Sequence, residues 1–198
     1  MGKIMYWLAY IIVNLYFYLI QRWQVKGKQN RPRQGQLIVM ANHISNLDPP
    51  IVGCVMNRQV HFMAKAELFT NPIVGWTFKK IGVFPIKRGK PDRKALKKAF
   101  KILESDKVLG IFPEGTRQQD GQLGQAKPGA VLIALHSQSP ILPIGIKNSN
   151  NSQQIKVSIG EPFTLDQYYD RRLSREEKEE AGELIMKKID EEIQSLSN

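Results

Sequence analysis

The sequence predicts an α/β fold, a mixed sheet flanked by helices, with an N-terminal membrane-associated helix ahead of it. Three observations predict it. Short apolar runs of strand length recur between residues 37 and 159. Helical patterns lie between several of them, and interleaved strands and helices bury their faces as a layered domain. Before both comes the run IMYWLAYIIVNLYFYLI at residues 4–20, in which Asn14 is the only polar residue that is not aromatic.

Composition sets the bounds. A chain of 198 residues, 42 % hydrophobic and 24 % charged, has enough apolar material to form one core and offset the entropy of ordering. That excludes disorder as the main theme, and collagen-like and repeat architectures with it. Cys54 is the only cysteine, so no intramolecular disulfide framework or thiolate metal cage can form. The net charge of +11 is uneven: residues 1–160 hold 23 Lys and Arg against 7 Asp and Glu, while 161–198 hold 6 against 11. A basic body points to an anionic partner, whether nucleic acid, anionic lipid, a phosphorylated metabolite or an acidic protein.

The N-terminal run carries rings at Tyr6, Trp7, Tyr10, Tyr16, Phe17 and Tyr18, with Trp23 just beyond. As a helix it would be about 25 Å long against the ~30 Å hydrocarbon core, so spanning and lying partly embedded both fit, as does a core helix. Gln21, Arg22 and Trp23 follow where a cleaved leader would have small residues. Arg22, Lys26, Lys28, Arg31 and Arg33 follow the run, against Lys3 before it. If the helix spans, this bias leaves the following domain at the cell membrane on its cytoplasmic face. Residues 1–33 read as a membrane-anchoring helical segment and basic linker, and 34–198 as one globular domain.

The strands predicted are Leu37–Ala41, Val60–Ala64, Ile81–Ile86, Val108–Phe112, Ile141–Ile146 and Ile155–Ile159. Pro91–Leu103 predicts a helix with Leu96, Ala99, Phe100 and Leu103 on one face and Arg93, Lys94, Lys97, Lys98 and Lys101 on the other. That basic face fits anionic headgroups, coenzyme A phosphates, an acidic carrier protein or plain solvation. Pro49–Met56 and Pro128–Ser137 are further helices. Ser174 with Glu177 is a capping box for a last helix that buries Ala181, Leu184, Ile185, Ile189 and Ile193.

Strand Leu37–Ala41 runs directly into NHISNLDPP, and strand ends are where α/β folds build sites. The spacing lets the Asp48 carboxylate turn back onto one ring nitrogen of His43, leaving the other as a base in the neutral tautomer. Asp48 before Pro49 equally fits a helix cap. A second segment, FPEGTR at 112–117, leaves another strand end. Arg117 suits a bidentate grip on phosphate and the Gly115 backbone allows close approach; the bland alternative is a surface turn with Glu114 paired to a basic neighbour. GVFPIKR at 82–88 ends with Lys87 and Arg88, and Lys127 precedes a helix start that favours anions.

With these blocks in order, the chain resembles the bacterial 1-acyl-sn-glycerol-3-phosphate acyltransferases of the glycerolipid acyltransferase family. NHISNLD matches the family's N-H-x-S-x-x-D block, GVFPIKR its arginine-ending block, FPEGTR its third and ILPIGI its proline-containing fourth. Lys87 after Pro85-Ile86, and Gln118 in place of Ser, depart from the pattern. The resemblance implies that His43 is the general base and Asp48 its orienting partner. It also implies that Arg88, Glu114, Gly115, Arg117 and Lys127 form the acceptor phosphate site within an acyltransferase domain. The implied reaction moves a fatty acyl group from acyl-CoA or acyl carrier protein, as co-substrate, to the free hydroxyl of lysophosphatidic acid, giving phosphatidic acid. No cofactor and no metal is expected. The partners expected are membrane phospholipid, the lysolipid and the acyl donor, or another lysophospholipid acceptor in the same family.

Rival chemistries have weaker signals. Ser45 as a hydrolase nucleophile lacks a G-x-S-x-G elbow and would have to meet His43 within one small turn. Cys54 lies among apolar helical neighbours, where thiols are inert. A nucleic-acid binder would interleave aromatic with basic residues, whereas the rings concentrate in the N-terminal run, so no nucleic-acid partner is expected. His61 and His136 have no ligand-spaced partners for a metal.

Overall fold

The chain runs α1 (Gly2–Leu19), β1 (Gln24–Lys26), β2 (Leu37–Ala41), α2 (Asp48–Val55), β3 (Val60–Lys65), α3 (Pro72–Ile81), β4 (Phe84–Ile86), α4 (Arg93–Leu103), β5 (Val108–Ile111), α5 (Pro128–Ser137), β6 (Ile141–Lys147), β7 (Lys156–Ile159) and α6 (Arg175–Gln194). The computed structural model describes residues 2–19, 23–87, 89, 91–118, 122–149 and 154–197. Ile20 and Arg22, at the end of the apolar run, lie outside them.

The strands make one sheet in the order β1-β7-β6-β2-β5-β3-β4. β2 is parallel to both its neighbours, β5 and β6, and β3 is parallel to β5 and β4. β7 runs antiparallel to β6, with β1 parallel to β7, so the sheet is mixed, as predicted. Period-2 alternation divides the interior. Along β2, Ile38 and Met40 join the core beneath α4, α5 and α6, while Leu37, Val39 and Ala41 join the core beneath α1 and α2. β2 is buried along its whole length, which is why its sequence is continuously apolar.

Helix ends follow local chemistry. The capping box forms as read: Ser174 Oγ accepts from the Glu177 N–H at 3.1 Å and the Glu177 carboxylate accepts from the Ser174 N–H at 2.7 Å. α4 starts at Arg93, two residues after Pro91, because Asp92 caps it, accepting from the Lys94 and Ala95 N–H groups. The predicted strand 81–86 is shorter. Ile81 instead closes α3, a helix capped by Asn71, which accepts from the Ile73 and Val74 N–H groups, and ended by the left-handed Gly82. β1 was not predicted; three residues with alternating burial carry too little pattern.

α1 lies along the domain. Tyr6 near one end and Phe17 near the other are buried, Phe17 stacks on Trp23, and the Tyr6 hydroxyl accepts from the Val60 N–H at 3.2 Å. The opposite face, with Ile4, Leu8, Ile11, Ile12, Leu15 and Leu19, is exposed, as are Ile73 and Trp76 on the neighbouring α3. Among the described residues no helix is long and apolar enough to cross a membrane.

Candidate active site

Because β2 and β5 are adjacent and parallel, with Met40 opposite Ile111, the NHISNLD and FPEGTR segments leave the sheet side by side. Asn42 extends the ladder with its side chain. Its Nδ2 donates to the Ile146 carbonyl at 2.9 Å and its Oδ1 accepts from the Ile146 N–H at 2.8 Å. The next residue is thereby held at the strand end.

That residue is His43. Its Nδ1 lies 2.8 Å from Asp48 Oδ2. Asp48 stands in the first turn of α2, but its carboxylate caps none of that helix's N–H groups; Pro49 and Pro50 have no N–H to offer. It turns back instead, and Oδ2 also accepts from the Ile44 N–H at 2.7 Å and the Ser45 N–H at 2.6 Å. Oδ1 accepts from Ser149 Oγ at 2.5 Å. Of the two readings open in the sequence, the geometry forms the contact with His43. In the tautomer with the proton on Nδ1, the ring donates to this carboxylate and Nε2 carries the lone pair.

The imidazole stacks on Phe112, with centroids 4.3 Å apart and planes at 24°. Phe112 was read as the last residue of its strand; β5 ends at Ile111, and Phe112 leaves the sheet to make this contact. His43, Met63, Ile86, Gly110, Ile111, Phe112 and Gly115 line a cavity of about 110 Å³. A larger groove of about 690 Å³, lined by Phe69, Pro85, Lys87 and Arg93 among others, includes none of these residues.

Glu114 points into the protein. It is 1 % exposed, with Oε2 accepting from the His43 N–H at 2.7 Å and Oε1 from the Gly124 N–H at 3.0 Å. Both oxygens serve backbone, so the carboxylate ties the His43 strand end to the segment at Gly124. Burial pushes its carboxyl above the ordinary range; the hydrogen bonds from Gly124 and His43 pull the other way and lose. Gly115 has φ +71, and a Cβ there would stand 3.1 Å from the Lys127 Cγ, which places Lys127 against the turn. The Lys127 N–H donates to the Pro113 carbonyl at 2.8 Å. Arg117 is exposed, and the residue after it, Gln118, donates its N–H to the His43 carbonyl at 2.8 Å. Arg88 lies outside the described residues.

Ser45 Oγ accepts from the Leu47 N–H at 3.1 Å. Burial pushes the Cys54 thiol up to about 12, so it stays protonated. His61 Nδ1 pairs with the Gly82 carbonyl at 3.1 Å. Among the described residues no group of three or more His, Cys, Asp or Glu could hold a metal ion.

The sequence profile of the family described as Acyltransferase matches residues 22–147. The chain belongs to the acyltransferase family. All four motif blocks of the sequence lie inside the match. Within the family, the chain is 32 % identical over 147 residues to the 1-acyl-sn-glycerol-3-phosphate acyltransferase of Bacillus subtilis, covering 71 % of this chain and 73 % of the relative. It is 30 % identical to the chloroplastic enzyme BAT2 of Brassica napus, covering 72 % of this chain and 42 % of that longer protein. The crystal structure of the 1-acyl-sn-glycerophosphate (LPA) acyltransferase PlsC from Thermotoga maritima superposes with a TM-score of 0.75 at 25 % identity, over 96 % of this chain and 80 % of that one. The α/β acyltransferase fold is thus shared across nearly the whole chain. No sequence signal pointed to Ser149, 101 residues from Asp48, or to the stacking role of Phe112.

Proposed function

We propose that this O-acyltransferase moves a fatty acyl group from acyl-CoA or acyl carrier protein to the free hydroxyl of 1-acyl-glycerol-3-phosphate. The 2.8 Å contact between His43 Nδ1 and Asp48 Oδ2 at the strand end carries the reading. An alcohol is too weak an acid to ionise at neutral pH, so His43 Nε2 takes its proton as the oxygen attacks the thioester carbonyl, a step worth about 10²–10⁴ in rate. Asp48 stabilises the imidazolium. As the tetrahedral intermediate collapses, the C–S bond breaks and the thiolate leaves with the proton from His43, so no acyl-enzyme forms.

Arg117 and Lys127, with Arg88, bind the acceptor phosphate and hold the hydroxyl within reach of the base. Glu114 ties their loop to His43 from below. The membrane is met edge-on. Since Tyr6 and Phe17 are both buried in the protein, α1 lies in the interface plane at the cytoplasmic face with its exposed apolar side, and that of α3, in the lipid. This gives the base access to a substrate that stays in the bilayer.

The test offers the full chain both donors with several lysolipids in vesicles, identifying products by mass spectrometry. Phosphatidic acid from the 1-acyl-glycerol-3-phosphate arm, formed about 10²–10⁴ times more slowly by the His43→Ala variant, is the expected result. A labelled acyl group left on the protein, or transfer to no lysolipid, would overturn it.

A further inference from the structure

We propose that Ser149 is a positioning residue for the His43–Asp48 pair, and this rests on the reading of His43 as the base. Asp48 is 0 % exposed, so each carboxylate lone pair must find a protein donor or remain bare. Oδ2 takes His43 Nδ1 and two backbone N–H groups, whereas Oδ1 takes the Ser149 hydroxyl at 2.5 Å. The carboxylate is therefore held at both ends. Without the hydroxyl only the Oδ2 end would be fixed, and the group could rotate away from the ring.

The fold goes to some length to aim this hydroxyl. Ser149 is 3 % exposed and lies just past β6. That strand is held in register by its ladder to β2 and by the Asn42 side chain at Ile146. Between them Asn148 adopts φ 65, a left-handed conformation that Asn tolerates better than most residues, and its side chain donates to the Gln154 carbonyl at 2.9 Å. Just past this residue Ser149 reaches Asp48. A hydroxyl stabilises a lone carboxylate more than one already paired with imidazolium. Its loss lets the pair take up a proton at higher pH.

Ser149→Ala, Ser149→Cys and Ser149→Thr decide the matter in the full chain in vesicles. Cys keeps the volume with only a weak donor, and Thr keeps the hydroxyl. Expected for Ala and Cys is a roughly tenfold loss of kcat at neutral pH with acceptor KM unchanged. The acidic limb of the pH–rate profile should move to higher pH, and Thr should restore both. Wild-type behaviour in Ala and Cys overturns the proposal, as does a loss of kcat with an unmoved limb or without rescue by Thr. Histidine ¹⁵N spectra read the same question without turnover. His43 should be protonated at Nδ1 in the wild type and in Ser149→Thr but mixed in the other two, and one unchanged tautomer in all four sinks the proposal. A wild type that transfers no acyl group fails the functional reading alone, because these spectra still decide Ser149.

Discussion

The His43 backbone N–H donates to the buried Glu114 carboxylate at 2.7 Å. One side chain thereby joins the end of β2 to the loop that carries Arg117, and the Gln118 N–H returns the contact at the His43 carbonyl. Glu114→Ala should leave two buried N–H groups, those of His43 and Gly124, without acceptors. The expected destabilisation is about 2–4 kcal/mol in urea unfolding, together with loss of activity. A variant as stable as the wild type would show that the two loops do not depend on this bridge.

Glu114 also makes a pH prediction. Burial holds its folded-state pKa above the reference 4.5, so between the two values the folded state binds more protons than the unfolded chain. Its contribution is fully present below the unfolded value and is lost as pH rises through the folded one. The stability of the wild type relative to Glu114→Gln should therefore fall as pH rises from 4.5. A difference that grows over that range would reverse the sign of the shift.

His43→Ala should lower single-turnover acyl transfer by about 10²–10⁴ while unfolding stays cooperative. Its effect is expected on kcat and on kcat/KM alike, since the proton moves only in the transition state. Appreciable residual turnover would remove the assignment of the base.

What was legible in the sequence follows from the range of the interactions. β2, α2 and the capping box of α6 are set by local pattern and were read at or within one residue of their observed bounds. The His43–Asp48 contact spans five residues and could be suspected from spacing. α3 was missed although Asn71, Pro72 and Gly82 mark its ends, because its apolar face mixes with exposed Ile73 and Trp76. The motif names Glu114 but does not give the orientation of its carboxylate. Only the adjacency of β2 and β5 shows that its carboxylate points at backbone.

Arg117→Ala should weaken binding of the phosphorylated acceptor, raising its KM by about ten- to a hundredfold with a smaller change in kcat. Initial-rate kinetics against a phosphate-free acceptor analogue provide the control, which should be unaffected. Equal loss with both acceptors would count against a phosphate role.

The two faces of α1 should separate by mutation. Leu8→Glu with Ile12→Glu puts charge on the exposed apolar face and touches no buried side chain. Binding to anionic vesicles should fall while thermal unfolding hardly moves, since what is lost is apolar burial in lipid. Phe17→Ala acts on the other face. Phe17 is 1 % exposed and stacks on Trp23 at 5.3 Å, so truncation should cost about 3–5 kcal/mol of stability with little effect on vesicle binding by the folded protein. Removing residues 1–22 should do both at once, because the helix with the exposed apolar face also closes the core over α2. Co-sedimentation paired with unfolding curves checks all three, and a stable truncated protein that still pellets with vesicles would mean that a different surface holds the enzyme at the membrane.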